Sequence, residues 1–232
     1  MFALDVSQIN WRTTVAHLGT TASSGSGSRH DDQHAERNLN SITAPGIEAK
    51  RGHRVIGVDS SPDMLAHARQ RVPEGDFRLA ELDRLPLPDD SVDVIVCALA
   101  LVHVPRLDPV LAEFARVLRP GGDLVISDIH HELVTRGSVI TARGPAGEPC
   151  IVTTYRHQLG DYLRAALSLG LQVRRCEEPG RTAQARAAPL PEPATKIGDW
   201  QDWPWSLMDY LPSAARAAGG RPWLVIWHFQ RT

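Results

Sequence analysis

The sequence contains few cysteines, little net charge and no long apolar run. Its three cysteines, Cys97, Cys150 and Cys176, are odd in number and widely spaced, so they form no metal or redox motif and are interpreted as buried thiols in a reducing compartment. The net charge of −2 gives no electrostatic case for a nucleic-acid partner or an acidic membrane surface. Residues 94–102, the longest apolar run, are too few to span a bilayer, and no signal peptide is evident. We therefore expect a cytoplasmic protein without a membrane partner.

Residues 51–128 alternate between strand and helix signals. Short runs rich in β-branched residues occur at 55–58, 92–96 and 124–126, and they are apolar on both faces. Such runs are typical of parallel strands that are covered on both sides. The order strand, helix, strand, strand, helix, strand, in a chain of 232 residues, predicts one α/β domain with a doubly wound, mostly parallel sheet.

Two helices are predicted between these strands. The first begins at residues 60–63 (SSPD), because serine is a common N-cap and proline is favoured at the first helical position. Its predicted buried stripe is formed by Leu65, Ala68 and Val72. The second helix begins at residues 108–109, and the Arg-Pro-Gly-Gly sequence at 119–122 ends it.

Asp59 stands at the end of the first of these strands. In an open parallel sheet, ligands bind outside the carboxyl ends of the strands. A carboxylate at that place can accept hydrogen bonds from both hydroxyls of a ribose, which suggests a nucleoside-containing cofactor. The alternative is that Asp59 only caps the helix that follows.

Three motifs, in this order and spacing, resemble the class I S-adenosylmethionine-dependent methyltransferases, in particular the small-molecule group often called type 11. They are RVIGVDSSPDML at 54–65, ELDRLPLPDDSVDVIV at 81–96 and EFARVLRPGGDLVISD at 113–128. The resemblance covers residues 51–128 and extends more loosely to 155–179 and 222–230. It implies a Rossmann-like sheet of seven strands in the order 3-2-1-4-5-7-6, with the last strand antiparallel, and S-adenosylmethionine as the cofactor.

The resemblance also implies cofactor contacts at six positions, which are Asp59, Ser60, Met64, Glu81, Leu82 and Ala98. Asp59 matches the acid that holds the ribose hydroxyls, and Met64 matches a side chain that packs on the adenine. The Glu81 carboxylate and the Leu82 backbone N–H match the groups that bind the adenine edge, although the family more often has Asp than Glu there. The backbone of Ala98 matches a position that faces the methionine part. The alternatives are that Met64 is core filler and Glu81 a solvated loop charge.

A glycine-rich cofactor loop is missing from residues 1–50. The family has an acid and then G-x-G-x-G after its first strand, because glycines let the backbone approach the cofactor. Our hypothesis is that residues 2–6 (FALDV) supply this strand and that the loop is degenerate. Counting back in register instead gives the acid and the glycine positions as Glu36, Asn38, Asn40 and Ile42. Residues 20–34 are predicted to be a disordered linker. We expect 1–50 to be an atypical, partly disordered segment and 51–232 to be the methyltransferase-like domain.

The second half of the chain is predicted to add a hairpin, a helix, two strands and a lid. Alternating segments at 138–143 and 150–155 predict a β-hairpin inserted over the active site, at about 132–157. The elements that follow are a helix and two strands, at 158–169, 171–176 and 223–229. Residues 180–221 form either a substrate lid or a helix packed on the sheet edge, since aromatic side chains supply large contact areas. Their aromatic residues include Trp200, Trp203, Trp205 and Tyr210.

The reaction implied by the resemblance is methyl transfer from a sulfonium to an oxygen, nitrogen or carbon nucleophile of a small molecule. A hydroxyl or acidic C–H must also lose a proton, and histidine is the natural base near neutral pH. The candidates are His157 at the hairpin exit, His130 after the fifth strand and His103 after the fourth. One alternative is a methyltransferase-like protein with lost or altered activity, which the degenerate loop favours. Another is a nicotinamide-dependent oxidoreductase, which would need G-x-G-x-x-G before Asp59; that motif is not present. No metal is predicted, and the oligomeric state is left open.

Overall fold

The structure is a computed structural model that describes residues 13–17, 54–135, 140–143, 148–180 and 222–232. For residues 13–17, 140–143 and 149–150 the description is of the backbone. The predicted lid, residues 180–221, lies outside the described residues except for its first position. The linker at 20–34 and the positions Glu36, Asn38, Asn40 and Ile42 lie outside them as well.

Seven of the strands in this part of the chain form one sheet. They are β1 (Thr13–His17), β2 (Arg54–Asp59), β3 (Asp76–Leu79), β4 (Val92–Ala98), β5 (Leu118–Ile129), β8 (Leu171–Glu177) and β9 (Leu224–Arg231). Their order across the sheet is β3-β2-β1-β4-β5-β9-β8, which is 3-2-1-4-5-7-6 when these seven strands alone are counted. Strands β3, β2, β1, β4 and β5 are parallel, and β9 runs antiparallel to both β5 and β8. The predicted fold class, a Rossmann-like and mostly parallel sheet, is confirmed.

The three predicted helices begin at, or within one residue of, their predicted starts. Helix α1 (Pro62–Arg71) has Ser61 as its N-cap, and the Ser61 hydroxyl accepts a hydrogen bond from the Met64 N–H at 3.3 Å. Helix α2 (Leu107–Val117) starts one residue before the prediction. After a short helix α3 (His131–Thr135), helix α4 (Leu159–Leu167) begins with a capping box between Gln158 and Asp161. These caps satisfy backbone N–H groups that a helix end otherwise leaves without partners.

One large hydrophobic core lies between the sheet and helices α2 and α4. The largest fully buried side chains include Tyr162, Phe114, Phe229 and Leu111. On α1, a smaller cluster joins the predicted stripe of Leu65, Ala68 and Val72 to Phe77 of β3. The sheet is therefore covered by helices, as the apolar character of both strand faces requires.

The first strand is not where we predicted it. Thr13–His17 pairs in parallel with β2 on one side and with β4 on the other, from Thr13 opposite Arg54 to His17 opposite Cys97. The hypothesis that residues 2–6 supply this strand is therefore wrong, because its place between β2 and β4 is filled; residues 2–6 themselves lie outside the described part. The sheet takes this strand from before residue 50, while the division of the chain at 50/51 stays a prediction.

The two alternating segments pair as a separate two-stranded sheet, and their insertion over the active site stays a prediction. Strand β6 (Ile140–Arg143) pairs antiparallel with β7 (Pro149–Val152), and Ile140 lies opposite Val152. No helix in the described ranges is long and apolar enough to cross a membrane.

The loop between β3 and β4 is held in place by charged side chains of α2. Arg116 donates to the carbonyl oxygens of Leu87 at 2.8 Å and Leu85 at 3.1 Å, and it forms an ion pair with Asp89 at 2.6 Å. Glu113 accepts from the Leu85 N–H at 2.8 Å and binds Arg116. These bonds keep the loop, which begins just after β3, against the rim of the sheet.

Candidate functional site

A cleft of about 450 Å³ opens at the carboxyl ends of the parallel strands. Its walls come from the segments that follow β2, β3 and β4 and from the start of α2. The lining residues include Ser60, Glu81, Leu82, Ala100, His103 and Arg106. This is the edge where an open parallel sheet places its ligands.

Asp59 ends β2 beside this cleft, and it is fully buried. Its Oδ1 accepts from the Ser61 N–H at 2.8 Å. Its Oδ2 is also buried, and it has no hydrogen-bond partner among the described residues. Ser61, not Asp59, caps α1. The alternative in which Asp59 serves only as a helix cap therefore leaves one buried carboxylate oxygen unexplained, and such groups are costly without a partner.

The pKa of the Asp59 carboxyl is raised to about 6. Burial is the largest cause, hydrogen bonds from the backbone N–H groups of Ser61 and Ser60 lower the pKa, and the nearby charge of Glu81 adds to the rise. The surroundings of Asp59 therefore destabilise the ionised form of its carboxyl. A ligand that donates hydroxyl hydrogens to Oδ2 would relieve that cost.

The other proposed cofactor contacts have different surroundings. Glu81 is exposed and Leu82 is buried, and both line the cleft together with Ser60. Met64 is buried on the first turn of α1 and belongs to neither hydrophobic cluster. Ala98 ends β4, where it pairs with Ser127. The proposed cofactor roles of these residues stay predictions.

The backbone just after β4 is strained. Leu99 has φ = +53°, in the left-handed region that bulky side chains rarely adopt, and its N–H donates to the Ser127 carbonyl at 2.8 Å. The turn redirects the chain into a 3-10 helix at Leu101–His103, which forms one wall of the cleft.

His103 is the one of the three candidate histidines that lines the cleft. Its Nδ1 lies 3.2 Å from the Thr153 carbonyl oxygen. A carbonyl only accepts, so Nδ1 carries the proton and Nε2 carries the lone pair of the neutral ring. Burial lowers the pKa of His103, and the bond to Thr153 partly offsets this. The ring is therefore in the form that can take a proton.

His130 and His157 are engaged elsewhere and do not line the cleft. Buried His130 accepts from the Glu132 N–H at Nδ1, at 3.2 Å, and its Nε2 lies 2.8 Å from a Glu178 carboxylate oxygen. Both of its ring nitrogens are thus in use. His157 Nε2 lies 3.0 Å from the Leu101 carbonyl and 2.9 Å from the Val104 carbonyl. Their positions favour structural roles, and a catalytic role for any of the three histidines stays a prediction.

Asp128 was not predicted as a site residue. It lies buried near the end of β5, and its Oδ2 accepts from the Val102 N–H at 2.8 Å. Burial raises the pKa of its carboxyl to about 7. Its signal in the sequence is the one used for Asp59, an acid that follows a run of apolar strand residues.

No cluster of three or more His, Cys, Asp or Glu side chains in the described ranges could hold a metal ion. The orphaned Asp59 oxygen, at the end of the second strand of a doubly wound sheet, instead fits a ligand with hydroxyl donors, as a ribose has. Fold and site together fit an α/β protein that binds a nucleoside-containing cofactor.

Comparison with known proteins narrows this class. Residues 41–126 match the family model described as a methyltransferase domain. The arsenite methyltransferase of Halobacterium salinarum is 42% identical over 83 residues, which are 34% of this chain and 21% of that protein. The methyltransferase GfsG of Streptomyces halstedii is 42% identical over 102 residues, which are 41% of this chain and 35% of that one.

Solved structures agree over nearly the whole chain. A SAM-dependent methyltransferase from Methanosarcina mazei aligns with a TM-score of 0.59 at 13% identity, covering 100% of this chain and 98% of that one. The [4+2]-cyclase SpnF aligns with a TM-score of 0.54 at 15% identity, covering 96% and 76%. These structures establish the fold.

The match at residues 41–126 agrees with the resemblance of the three motifs to the class I S-adenosylmethionine-dependent methyltransferases. S-adenosylmethionine is the cofactor that this domain match indicates. The chain matches between about a fifth and a little over a third of the length of the curated relatives, from 21% to 36%.

Proposed function

We propose that the protein transfers a methyl group from S-adenosylmethionine to an oxygen, nitrogen or carbon nucleophile of a small molecule. The observation that carries the proposal is the buried Oδ2 of Asp59 at the end of β2, which has no hydrogen-bond partner among the described residues. A carboxylate oxygen there needs hydroxyl donors, and the nucleoside of this cofactor has two.

The described residues divide the binding task between them. Asp59 would accept from the ribose hydroxyls, and Ser60 lies beside it. Glu81 and the Leu82 N–H would bind the adenine edge, and Met64 would pack against its face. The backbone at Ala98 would face the methionine part. When bound, the cofactor supplies an electrophilic methyl group on its sulfonium.

His103 is the proton acceptor that the geometry favours for a hydroxyl or acidic C–H nucleophile. Its ring lines the cleft, its Nδ1 is committed to the Thr153 carbonyl at 3.2 Å, and its lowered pKa keeps Nε2 unprotonated near pH 7. Neither His130 nor His157 combines these three properties.

A small-molecule substrate and a cytoplasmic location are part of the proposal. The near-neutral charge supports a partner other than a nucleic acid, and the cleft volume of about 450 Å³ lies in the range of small-ligand pockets.

Isothermal titration with S-adenosylmethionine and S-adenosylhomocysteine tests the proposal directly. We expect micromolar or tighter binding of both ligands, whereas NADH, titrated in parallel, should not bind. An absence of binding at high micromolar cofactor would end the methyltransferase hypothesis. Binding of NADH alone would instead favour an oxidoreductase.

A second candidate is a protein of the same fold that binds its cofactor without transferring a methyl group. The sequence after β1 favours it, because Gly19 is the single glycine among residues 18–24 and no G-x-G-x-G follows the strand. SpnF, a cyclase, illustrates a similar fold with another reaction. Cofactor binding with no release of S-adenosylhomocysteine, across a panel of phenols, carboxylic acids and amines, would favour this candidate.

A further inference from the structure

The 3-10 helix that carries His103 is held from two sides by buried or half-buried titratable side chains. From the sheet, Asp128 accepts from the Val102 N–H at 2.8 Å through Oδ2, and its Oδ1 accepts from the Ile129 N–H at 2.7 Å. Asp128 is 1% exposed. Because one carboxylate binds both its own strand end and the helical turn, it fixes the turn relative to β5.

From the other side, the segment that follows the hairpin docks on the same turn. His157 Nε2 lies 3.0 Å and 2.9 Å from the carbonyl oxygens of Leu101 and Val104, the residues at the start and just past the end of the turn. Both partners are acceptors, so Nε2 is protonated and shared between them. The Tyr155 N–H donates to the Val102 carbonyl at 2.7 Å.

These contacts determine where the Thr153 carbonyl lies. Thr153 is exposed and is two residues before Tyr155, so its position depends on the docking of the segment. The Thr153 carbonyl in turn decides which ring nitrogen of His103 carries the proton.

We propose that Asp128 and His157 are positioning residues that hold the His103 ring at the cleft in its Nδ1-protonated form. His157 does so through the segment that presents the Thr153 carbonyl, and Asp128 through the turn itself. This inference rests on the proposed role of His103 as proton acceptor.

The ionisation of the groups around Asp128 agrees with its positioning role. Burial raises the pKa of the Asp128 carboxyl to about 7. Burial is also the largest cause of the raised pKa of the Cys97 thiol and of the Tyr162 hydroxyl, and the negative charge of Asp128 adds to both. The Cys97 thiol on β4 and the Tyr162 hydroxyl on α4 are therefore neutral near pH 7.

The test uses the full-length protein labelled with ¹⁵N-histidine, and NMR of the ring nitrogens reports the protonated form of His103. His157→Asn is too short to reach the two carbonyls, whereas His157→Gln keeps an N–H donor at nearly the reach of the imidazole. Asp128→Asn removes the carboxylate from the other side. His67→Gln changes an exposed histidine on α1 and serves as the control.

In the wild type and in His67→Gln we expect Nδ1 protonated and Nε2 unprotonated. In His157→Asn the Nε2-protonated form should gain population, and the titration midpoint of His103 should fall further, because the Thr153 carbonyl no longer stabilises the protonated ring. His157→Gln should restore the wild-type spectrum. Asp128→Asn should shift the same His103 signals, and this variant provides the test of the proposal if His157→Asn does not fold.

Unchanged His103 signals in folded His157→Asn and Asp128→Asn would overturn the proposal. S-adenosylhomocysteine binding, measured on the same samples, separates the two levels of inference. If the wild type binds and the His103 signals do not respond, the positioning roles fail alone. If the wild type does not bind, the proposed function fails, whatever the signals show.

Discussion

Asp59→Asn should raise the stability of the protein at neutral and higher pH and should weaken its binding of the cofactor. The pKa of the folded carboxyl is raised from 3.8 to about 6, mainly by burial. A raised pKa means that the contribution of this group to stability is fully present below about pH 4, where folded and unfolded chains are both protonated. It is lost as the pH rises through 6, because ionisation is harder in the folded chain.

The magnitude follows from the size of the rise. About two pKa units correspond to roughly 3 kcal/mol of unfolding free energy lost between pH 4 and pH 8. Asparagine does not titrate, and it can still accept from the Ser61 N–H. The difference in unfolding free energy between variant and wild type should therefore grow by about 2–3 kcal/mol over this range. At pH 8 that is a relative gain of about 5–10 °C in Tm.

Binding should change in the other direction. Loss of charge-assisted hydrogen bonds to the ribose hydroxyls costs about 1.5–3 kcal/mol, which weakens S-adenosylhomocysteine binding roughly 10- to 100-fold. Urea unfolding at several pH values and calorimetric titration measure the two effects. Asp63→Asn, an exposed acid four residues along, is the control and should change neither. A stability difference that does not vary with pH, or unchanged binding, would refute the reasoning.

Three further predictions concern stability. Arg116→Gln should lower the unfolding free energy, measured by chemical denaturation, by about 2 kcal/mol, because the 85–89 loop loses its hydrogen-bond donor. Arg106→Gln, at an exposed arginine, is the control and should lower it little. Equal effects of the two substitutions would contradict the role of Arg116. Leu99→Gly should raise the Tm or leave it unchanged, because glycine adopts the φ of +53° at this position without strain. Leu99→Val should lower the unfolding free energy by about 1 kcal/mol or more. A glycine variant less stable than the valine variant would argue against backbone strain at Leu99. Asp128→Asn should flatten the loss of unfolding free energy as the pH rises from 4 to 8, because burial raises the pKa of Asp128 to about 7; an unaltered pH profile would contradict this environment.

Local signals in the sequence were sufficient for most of the fold. The N-cap at Ser61 and the stripe of Leu65, Ala68 and Val72 depend on residues within two turns of one another, and both are found in the structure. The strands around Val58 and Ile95 are apolar on both faces because helices cover both sides of the sheet. Such patterns can be read without knowing the tertiary contacts.

The first strand was missed because its evidence is not local. Thr13–His17 is short, ends in histidine rather than an acid, and is identified by its pairing with β2 and β4. Residues 2–6 offered an apolar run and an acid, which are features of the family's strand but do not determine pairing.

The histidines show the same limit of sequence reasoning. His103, His130 and His157 differ in their surroundings because of partners about 50 residues away. These partners are Thr153, Glu178 and the carbonyls of Leu101 and Val104. No sequence pattern near each histidine reports those partners. The position of Asp59 at the end of β2 could be predicted because the end of a parallel strand is itself a local feature.

The central claim is that Asp59 holds the ribose of S-adenosylmethionine at the carboxyl end of β2. Its most direct test compares, by calorimetry, S-adenosylhomocysteine with an analogue that lacks both ribose hydroxyls. We predict that the wild type binds the analogue at least about 10-fold more weakly, and that Asp59→Asn binds both ligands alike. Equal affinity of the wild type for the two ligands would contradict the account.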